Sequence, residues 1–409
     1  MEDRCYISKL PCTILREEIF SRLPYPACVA CKCVCKSWCL CFSKLPRLSK
    51  NILLCTQGRN LQWVDFKNNV HFSFVAEFLS PNSSRSIMQR RCSPFAYTSV
   101  NSCNGLLSVC TFPSEDFKDV VMHILNPITE EYLTLPGRND TRVGLHKDLC
   151  GLGFCPETKR FKAFRLSYHL LLNERNSCQE LRRQAHRDFY QVEVFTLGTD
   201  SAWRNIGPAR NYRCSGKAVW GSFKAFLSGS IHRLIVSHEG LEISAFDFEK
   251  EQFRSIQLPH AFDKMTRKKC GYTDIGVYKD SLCFCCLERN KVPEALEVWV
   301  MKEYGVAIAW QLKLVVRSSE ESWQWKMQKP INVVMFFDND CILLSDGGRL
   351  VLYDPQRGRH AGLADGTEDE YIHAICFNNP RFDSLNQIVG SSLEIFDATK
   401  LLNQIRTSC

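Results

Sequence analysis

Two textures of hydrophobic and polar positions divide the chain. Over residues 9–50 the apolar positions recur at near-helical spacing. The stretch "TILREEIFSRL" (13–23) sets Ile14, Leu15, Ile19, Phe20 and Leu23 along a helix, with Thr13 suited to cap it and Pro24 to end it. A second apolar segment starts after Pro26 and runs to about Phe42. From about residue 52 the texture changes to short alternating runs separated by turn residues, the mark of strands.

The strand units repeat. "VMHILNPITEEYLTLP" (121–136) reads as strand, Asn-Pro turn, strand. The same unit returns in "GLGFCPETKRFKAFRL" (151–166), turning at Cys155-Pro156, and in "VEVFTLGTDSAWRNI" (192–206), turning at Gly198-Thr199. It returns again around Glu249-Lys250, Tyr304-Gly305 and Asp354-Pro355. Most repeats lie roughly 40 to 56 residues apart, a spacing that predicts a β-propeller of about six to eight four-stranded blades. An irregular pair of β-sandwiches is the alternative. Residues 167–190 break the pattern and read as a long, partly helical, exposed insertion between blades.

Composition narrows the class. With 45% apolar and 23% charged residues the chain is of ordinary globular make-up. No run approaches about 18 consecutive apolar residues, so no membrane span is expected. "MEDRCYISKLPC" lacks the apolar core of a secretory signal, which points to the cytoplasm and/or nucleus. Thiols stay reduced there, and the 23 cysteines, as in "DSLCFCCLE" (280–288), read mainly as small buried apolar residues. The net charge of +8 is mild, and its basic residues are scattered.

The run "CVACKCVCKSWCLC" (28–41) invites a metal or redox reading. On a helix Cys28, Cys31, Cys35 and Cys39 would form a stripe about 16 Å long, and four ligands along a rod do not surround one ion. A redox Cys-x-x-Cys would want a βαβ setting, which the pattern lacks. No Gly-x-Ser-x-Gly, His-Glu-x-x-His or phosphate-binding loop occurs, and the ten histidines are spread through the chain. "MQRRC" (88–92), "LRRQAHR" (181–187) and "MTRKKC" (265–270) are short basic clusters, not a sustained nucleic-acid surface. The residues thus point to no catalytic group, no cofactor and no metal, and to neither nucleic acid nor membrane as partner.

Leu10-Pro11, Arg22-Leu23-Pro24 and Val34-Cys35-Lys36-Ser37-Trp38 resemble the F-box of plant F-box proteins. Behind them, "SCNGLL" (102–107), "NPITEEYLTLP" (126–136), "GLGFCPETKRFKAFRL", "VEVFTLGTDSAWRNI", "FDFEKEQFRSIQLP" (246–259) and "LEVWVMKEYGV" (296–306) occur in an order that resembles the plant F-box-associated domain, which implies a kelch-like propeller. This chain departs from the pattern in three ways. One residue is added between the two Leu-Pro signatures, Cys12-Thr13 replace the usual acidic pair, and Arg233 stands at a usual Trp. An added residue turns a helix face by about 100°.

The resemblance divides the chain into a disordered N-terminus (1–8), an F-box (9–50), a linker with first β elements (51–95), an F-box-associated propeller (96–400) and a tail (401–409). It implies a non-catalytic substrate-recognition subunit of an SCF-type (Skp, cullin, F-box) ubiquitin ligase. A Skp-type adaptor would be bound through Leu10, Pro11, Ile14, Leu15, Ile19, Leu23, Pro24, Val29, Val34, Cys35 and Trp38, and through it a cullin. The propeller would take an unidentified protein substrate. A ligase-independent binding scaffold and a propeller enzyme are the rival readings.

Overall fold

A computed structural model of the chain describes residues 10–20, a few positions from 23 to 38, and the strands and tight turns between 52 and 397. The connections 75–96, 112–119, 138–148, 168–189, 213–222, 263–269, 318–330 and 366–371 lie outside the described residues, and with them the expected insertion. So do the expected N-terminus (1–8) and tail (401–409).

The sheets are antiparallel meanders. The first holds β1 (Ile52–Gln57), β2 (Asn60–Asp65) and β3 (Val70–Phe74), with β24 (Ile372–Phe377) added beside β1. The second runs β4 (Tyr97–Cys103), β5 (Leu106–Thr111), β6 (Val121–Asn126) and β7 (Glu131–Thr134), with β25 (Ile395–Asp397) on its outer edge. The third comprises β8 (Leu149–Cys155), β9 (Arg160–Ser167), β10 (Gln191–Thr196) and β11 (Arg204–Pro208). The fourth comprises β12 (Ala225–Leu227), β13 (Ser230–Val236), β14 (Leu241–Asp247) and β15 (Gln252–Ile256). The fifth comprises β16 (Cys270–Tyr278), β17 (Ser281–Glu288), β18 (Ala295–Met301) and β19 (Trp310–Arg317). The last comprises β20 (Ile331–Phe336), β21 (Ile342–Asp346), β22 (Arg349–Asp354) and β23 (Arg359–Asp365).

The first strand of each sheet abuts the next sheet, and β20 meets β24, which meets β4, so the ring closes as a β-propeller. The expectation of four strands in every blade is corrected. Among the described residues five sheets have four strands, and the sheet joined by β25 has five.

Local chemistry makes the hairpins. Asn104-Gly105, Ser228-Gly229 and Lys279-Asp280 join first to second strands with positive φ at both central residues, the two-residue turn that matches strand twist. At the next turns Asp247 Oδ1 accepts from the amides of Glu249 and Lys250, and Asp354 Oδ1 from those of Gln356 and Arg357. These side chains hold the turn before it closes through Glu251 or Gly358 in the left-handed region.

Apolar clusters fill the gaps between consecutive sheets, and strands buried on both faces serve two clusters at once. Along β17, Cys283, Cys285 and Leu287 face the β20 sheet, while Leu282, Phe284 and Cys286 face the β12 sheet. These cysteines are buried, as the sequence implied. Between the β8 and β12 sheets, Phe164 touches Phe223, Phe246, Phe248 and Phe253, with ring centroids 4.6–6.0 Å away. A Cβ on Gly151 would press on Phe164 and one on Gly153 would overlap Phe248, which explains both glycines of "GLGF".

The meander fixes a polarity. Turns joining first to second and third to fourth strands sit at one end of the ring; the remaining connections attach at the other. β1 begins beside the end of β24 (Ile52 opposite Phe377), so the chain arriving from residues 9–50 enters at the tight-turn end.

Candidate functional site

The N-terminal segment is small and two-sided. Pro11 precedes a short helix, α1 (Cys12–Ile14), which continues as a π-helical stretch over Leu15–Ile19. The Phe20 amide reaches both the Arg16 and Leu15 carbonyls. A π turn is how a helix absorbs an added residue. Here it brings members of i, i+5 pairs toward one face, Leu15 with Phe20 and Ile14 with Ile19. The extra residue is thus accommodated within residues 15–20.

Leu15 and Phe20 form the buried centre, closed by half-buried Leu10, Leu23, Cys31 and Trp38. Trp38 meets Phe20 edge-on, with ring centroids 5.1 Å apart. Of the adaptor residues expected from sequence, Leu15 therefore faces inward at 2% exposure and supports the segment from inside. Leu10, Leu23 and Trp38 divide their surface between this core and solvent. Ile14 (44% exposed), Ile19 (36%) and Val34 (62%) point outward, and Pro11 and Cys35 are exposed. Pro24 and Val29 lie outside the described residues. Cys31 packs inward while Cys35 is exposed; Cys28, Cys33, Cys39 and Cys41 lie outside the described residues. Arg16 and Glu17 pair at 2.7 Å on the surface, a contact of small energetic weight.

In the sheets, by contrast, several described polar and titratable groups act as staples between neighbours. Asn101 on β4 donates to the Leu152 carbonyl on β8 (2.9 Å) and accepts from its amide (3.0 Å). Asp274 on β16 is buried, pairs with Lys224 ahead of β12, and accepts from the Val333 amide on β20 (3.3 Å). Lys162 on β9 donates to the Phe248 carbonyl and to Glu251, which Arg204 also grips with two nitrogens. Burial pushes the Glu251 carboxyl up, but the hydrogen bonds from Arg204 and Lys162 outweigh it and hold it below the usual range.

His232 joins the β12 and β16 sheets. Its Nδ1–H donates to the Ala225 carbonyl (2.7 Å), and its Nε2 accepts from the Tyr304 hydroxyl (2.6 Å), which in turn accepts from Arg254. Burial lowers the His232 pKa to about 4, and likewise that of His123, whose Nδ1 lies 2.9 Å from the Thr134 hydroxyl. Arg233 spreads beside Phe223 and donates to the Tyr212 hydroxyl at 2.9 Å, so this wide planar cation occupies an aromatic setting. The pairings that cross from sheet to sheet escaped the sequence reading because they link positions far apart in the chain. Among the described residues no group of three or more His, Cys, Asp or Glu is placed to hold a metal ion, and no helix is long and apolar enough to cross a membrane.

Comparison with known proteins agrees with this two-part architecture. The F-box domain family matches residues 7–50, and the F-box associated beta propeller domain family matches residues 51–355, most of the chain. The latter is not a kelch family, so the kelch-like expectation is replaced. "F-box protein At3g07870" of Arabidopsis thaliana is 25% identical over 398 residues, covering 90% of each chain. "Putative F-box protein At4g09190" of the same plant is 24% identical, covering 85% of this chain and 86% of its own. Among solved structures, the polysaccharide lyase Uly1 is 9% identical with a TM-score of 0.36, covering 71% of this chain and 78% of its own.

Proposed function

This chain belongs to the F-box-associated β-propeller family, and on that premise we propose that it is the substrate-recognition subunit of an SCF-type ubiquitin ligase. The observation that carries the reading is the outward set Ile14, Ile19 and Val34, held on a core closed by Phe20 and Trp38. An apolar surface that a chain leaves uncovered is a docking surface, and a Skp-type adaptor linked to a cullin is the partner that an F-box implies. The propeller then selects a protein substrate at the ring end opposite the F-box entry, where the long connections attach.

No bond chemistry is asked of this chain. It raises the local concentration of substrate beside the ubiquitin-carrying enzyme, and rate follows from proximity. His232, Asp274 and Glu251 support this, since each is spent on joining neighbouring sheets. Neither nucleic acid nor a membrane is a partner on this reading, and the site of action is the cytoplasm and/or nucleus.

Co-purification with a Skp-type adaptor tests the reading. Ile14→Asp with Val34→Asp is expected to abolish capture of both adaptor and cullin; undiminished capture overturns the interface. The second reading, a ligase-independent binding scaffold, draws on Cys12-Thr13 replacing the acidic pair beside an exposed first turn. Absence of adaptor and cullin from the wild-type pull-down would favour it. Replacing residues 168–189 with a short Gly-Ser link between the neighbouring strands β9 and β10 should weaken substrate capture while leaving the adaptor bound.

A further inference from the structure

The propeller has a seam, because β1 from the start of the domain pairs with β24 from its end. A seam of one hydrogen-bonded strand pair is where a ring opens most easily. It is also where the F-box is attached, since residues before Ile52 lead directly into β1. Beyond β24, and beyond residue 355 where the family match ends, the described chain forms one more helical turn, α2 (Leu385–Val389), and then β25.

We infer that α2 (Leu385–Val389) and β25 (Ile395–Asp397) together form a clasp that locks this seam by tying three consecutive sheets together at the tight-turn end. Its own covalent origin is β24, in the β1 sheet. Its second anchor is the β4 sheet, where β25 lies along β7 in the register Ile395–Leu133, Phe396–Tyr132 and Asp397–Glu131. Glu131 grips the clasp a second time, its Oε2 accepting from the Leu385 amide at 2.6 Å.

The third anchor is the β8 sheet. Leu385 and Val389 are 0% and 2% exposed, sunk into the cluster that Leu133 shares with Phe195 and Leu197 near the β10–β11 turn. At the tip of that turn Gly198 has φ +74, and a Cβ there would lie 2.7 Å from the Ile388 carbonyl oxygen. The clasp is therefore built into the turn that receives it. Among the described residues the β4 sheet is the one whose outer edge carries an added strand. A buried apolar helical turn, a side-chain cap and a strand pairing make three distinct attachments, more than an edge cover requires.

Amide hydrogen exchange on the full chain tests this. Gly198→Val and Leu385→Ser are compared with Gly207→Val. Gly207 also has positive φ, at +95, but a Cβ there meets nothing within 4 Å. The first two variants are expected to speed exchange by about tenfold or more at 131–134, 372–377 and 385–397, with β12 to β19 unchanged. Gly207→Val should leave those segments within about threefold of wild type. The clasp is overturned if Gly207→Val reproduces the pattern of Gly198→Val, or if 372–377 keeps its protection once 385–397 has lost it. Uniform acceleration across all sheets also overturns it, since the segment would then be one part of a single cooperative core.

Discussion

The N-terminal segment and the sheets between β8 and β19 treat apolar side chains in opposite ways. In the sheets, a strand such as β17 turns alternate residues into two different clusters, so the run "LCFCCL" is buried on both faces. Among the described residues of the segment, the buried centre is Leu15 and Phe20, and comparable side chains at Ile14, Ile19 and Val34 stay in water. The sheets complete themselves within the chain. On the function proposed above, the helical segment is completed by a partner, which sets a docking tag apart from a recognition platform.

Perturbations should divide along this line. The largest stability effect is expected at Phe164, the hub of the aromatic cluster. Phe164→Ala should cost about 3–5 kcal/mol, read from the urea midpoint of the sheet domain. Next, Glu251→Ala strands Lys162, which is 8% exposed, and loosens Arg204; a loss of about 3 kcal/mol is expected. Arg204→Ala, at the exposed end of the same network, should cost only about 1 kcal/mol or less.

Acidity probes the same interior. The folded-state pKa of His232, about 4, lies below its ordinary 6.5, so the unfolded chain takes up the proton first as pH falls. Stability is then full above about 6.5 and declines toward pH 4, by up to about 3 kcal/mol from this residue, with His123 adding a fall of the same sign. Urea midpoints at pH 7.5, 6 and 5 should drop in order, and His232→Gln should flatten the slope. A midpoint independent of pH would contradict the buried, neutral imidazole. The smallest stability effect is expected in the N-terminal segment. Ile14→Ser with Val34→Ser should move the unfolding midpoint by no more than about 0.5 kcal/mol per site, since both side chains are already exposed.

Much of this division was legible in the sequence. The change from helical to alternating periodicity near residue 52 marked the boundary, and Asp354-Pro355, Cys155-Pro156 and Glu249-Lys250 located turns that the sheets do contain. Strand number per sheet was less legible, because β25 joins β7 across more than two hundred residues and leaves no local periodicity. The added residue in the first helix looked like a rotated face. It is absorbed as a π turn, a choice made by packing Leu15 and Phe20 together and not by any propensity readable one residue at a time. Within the expected adaptor set, periodicity grouped Leu15 with Ile14 and Ile19. It had no means to tell which of the stripe's edges the short chain would cover with Trp38, eighteen residues away from Phe20.

The account rests on the outward side chains of the N-terminal segment being the adaptor contact while the sheet body stands apart from it. Titrating a purified Skp-type adaptor against the full chain and against Ile14→Ser/Ile19→Ser/Val34→Ser measures this directly. The triple variant is predicted to keep the wild-type urea midpoint of the sheet domain and to lose adaptor affinity by about a hundredfold or more. Wild-type affinity in the triple variant, with the sheet domain intact, would contradict the account.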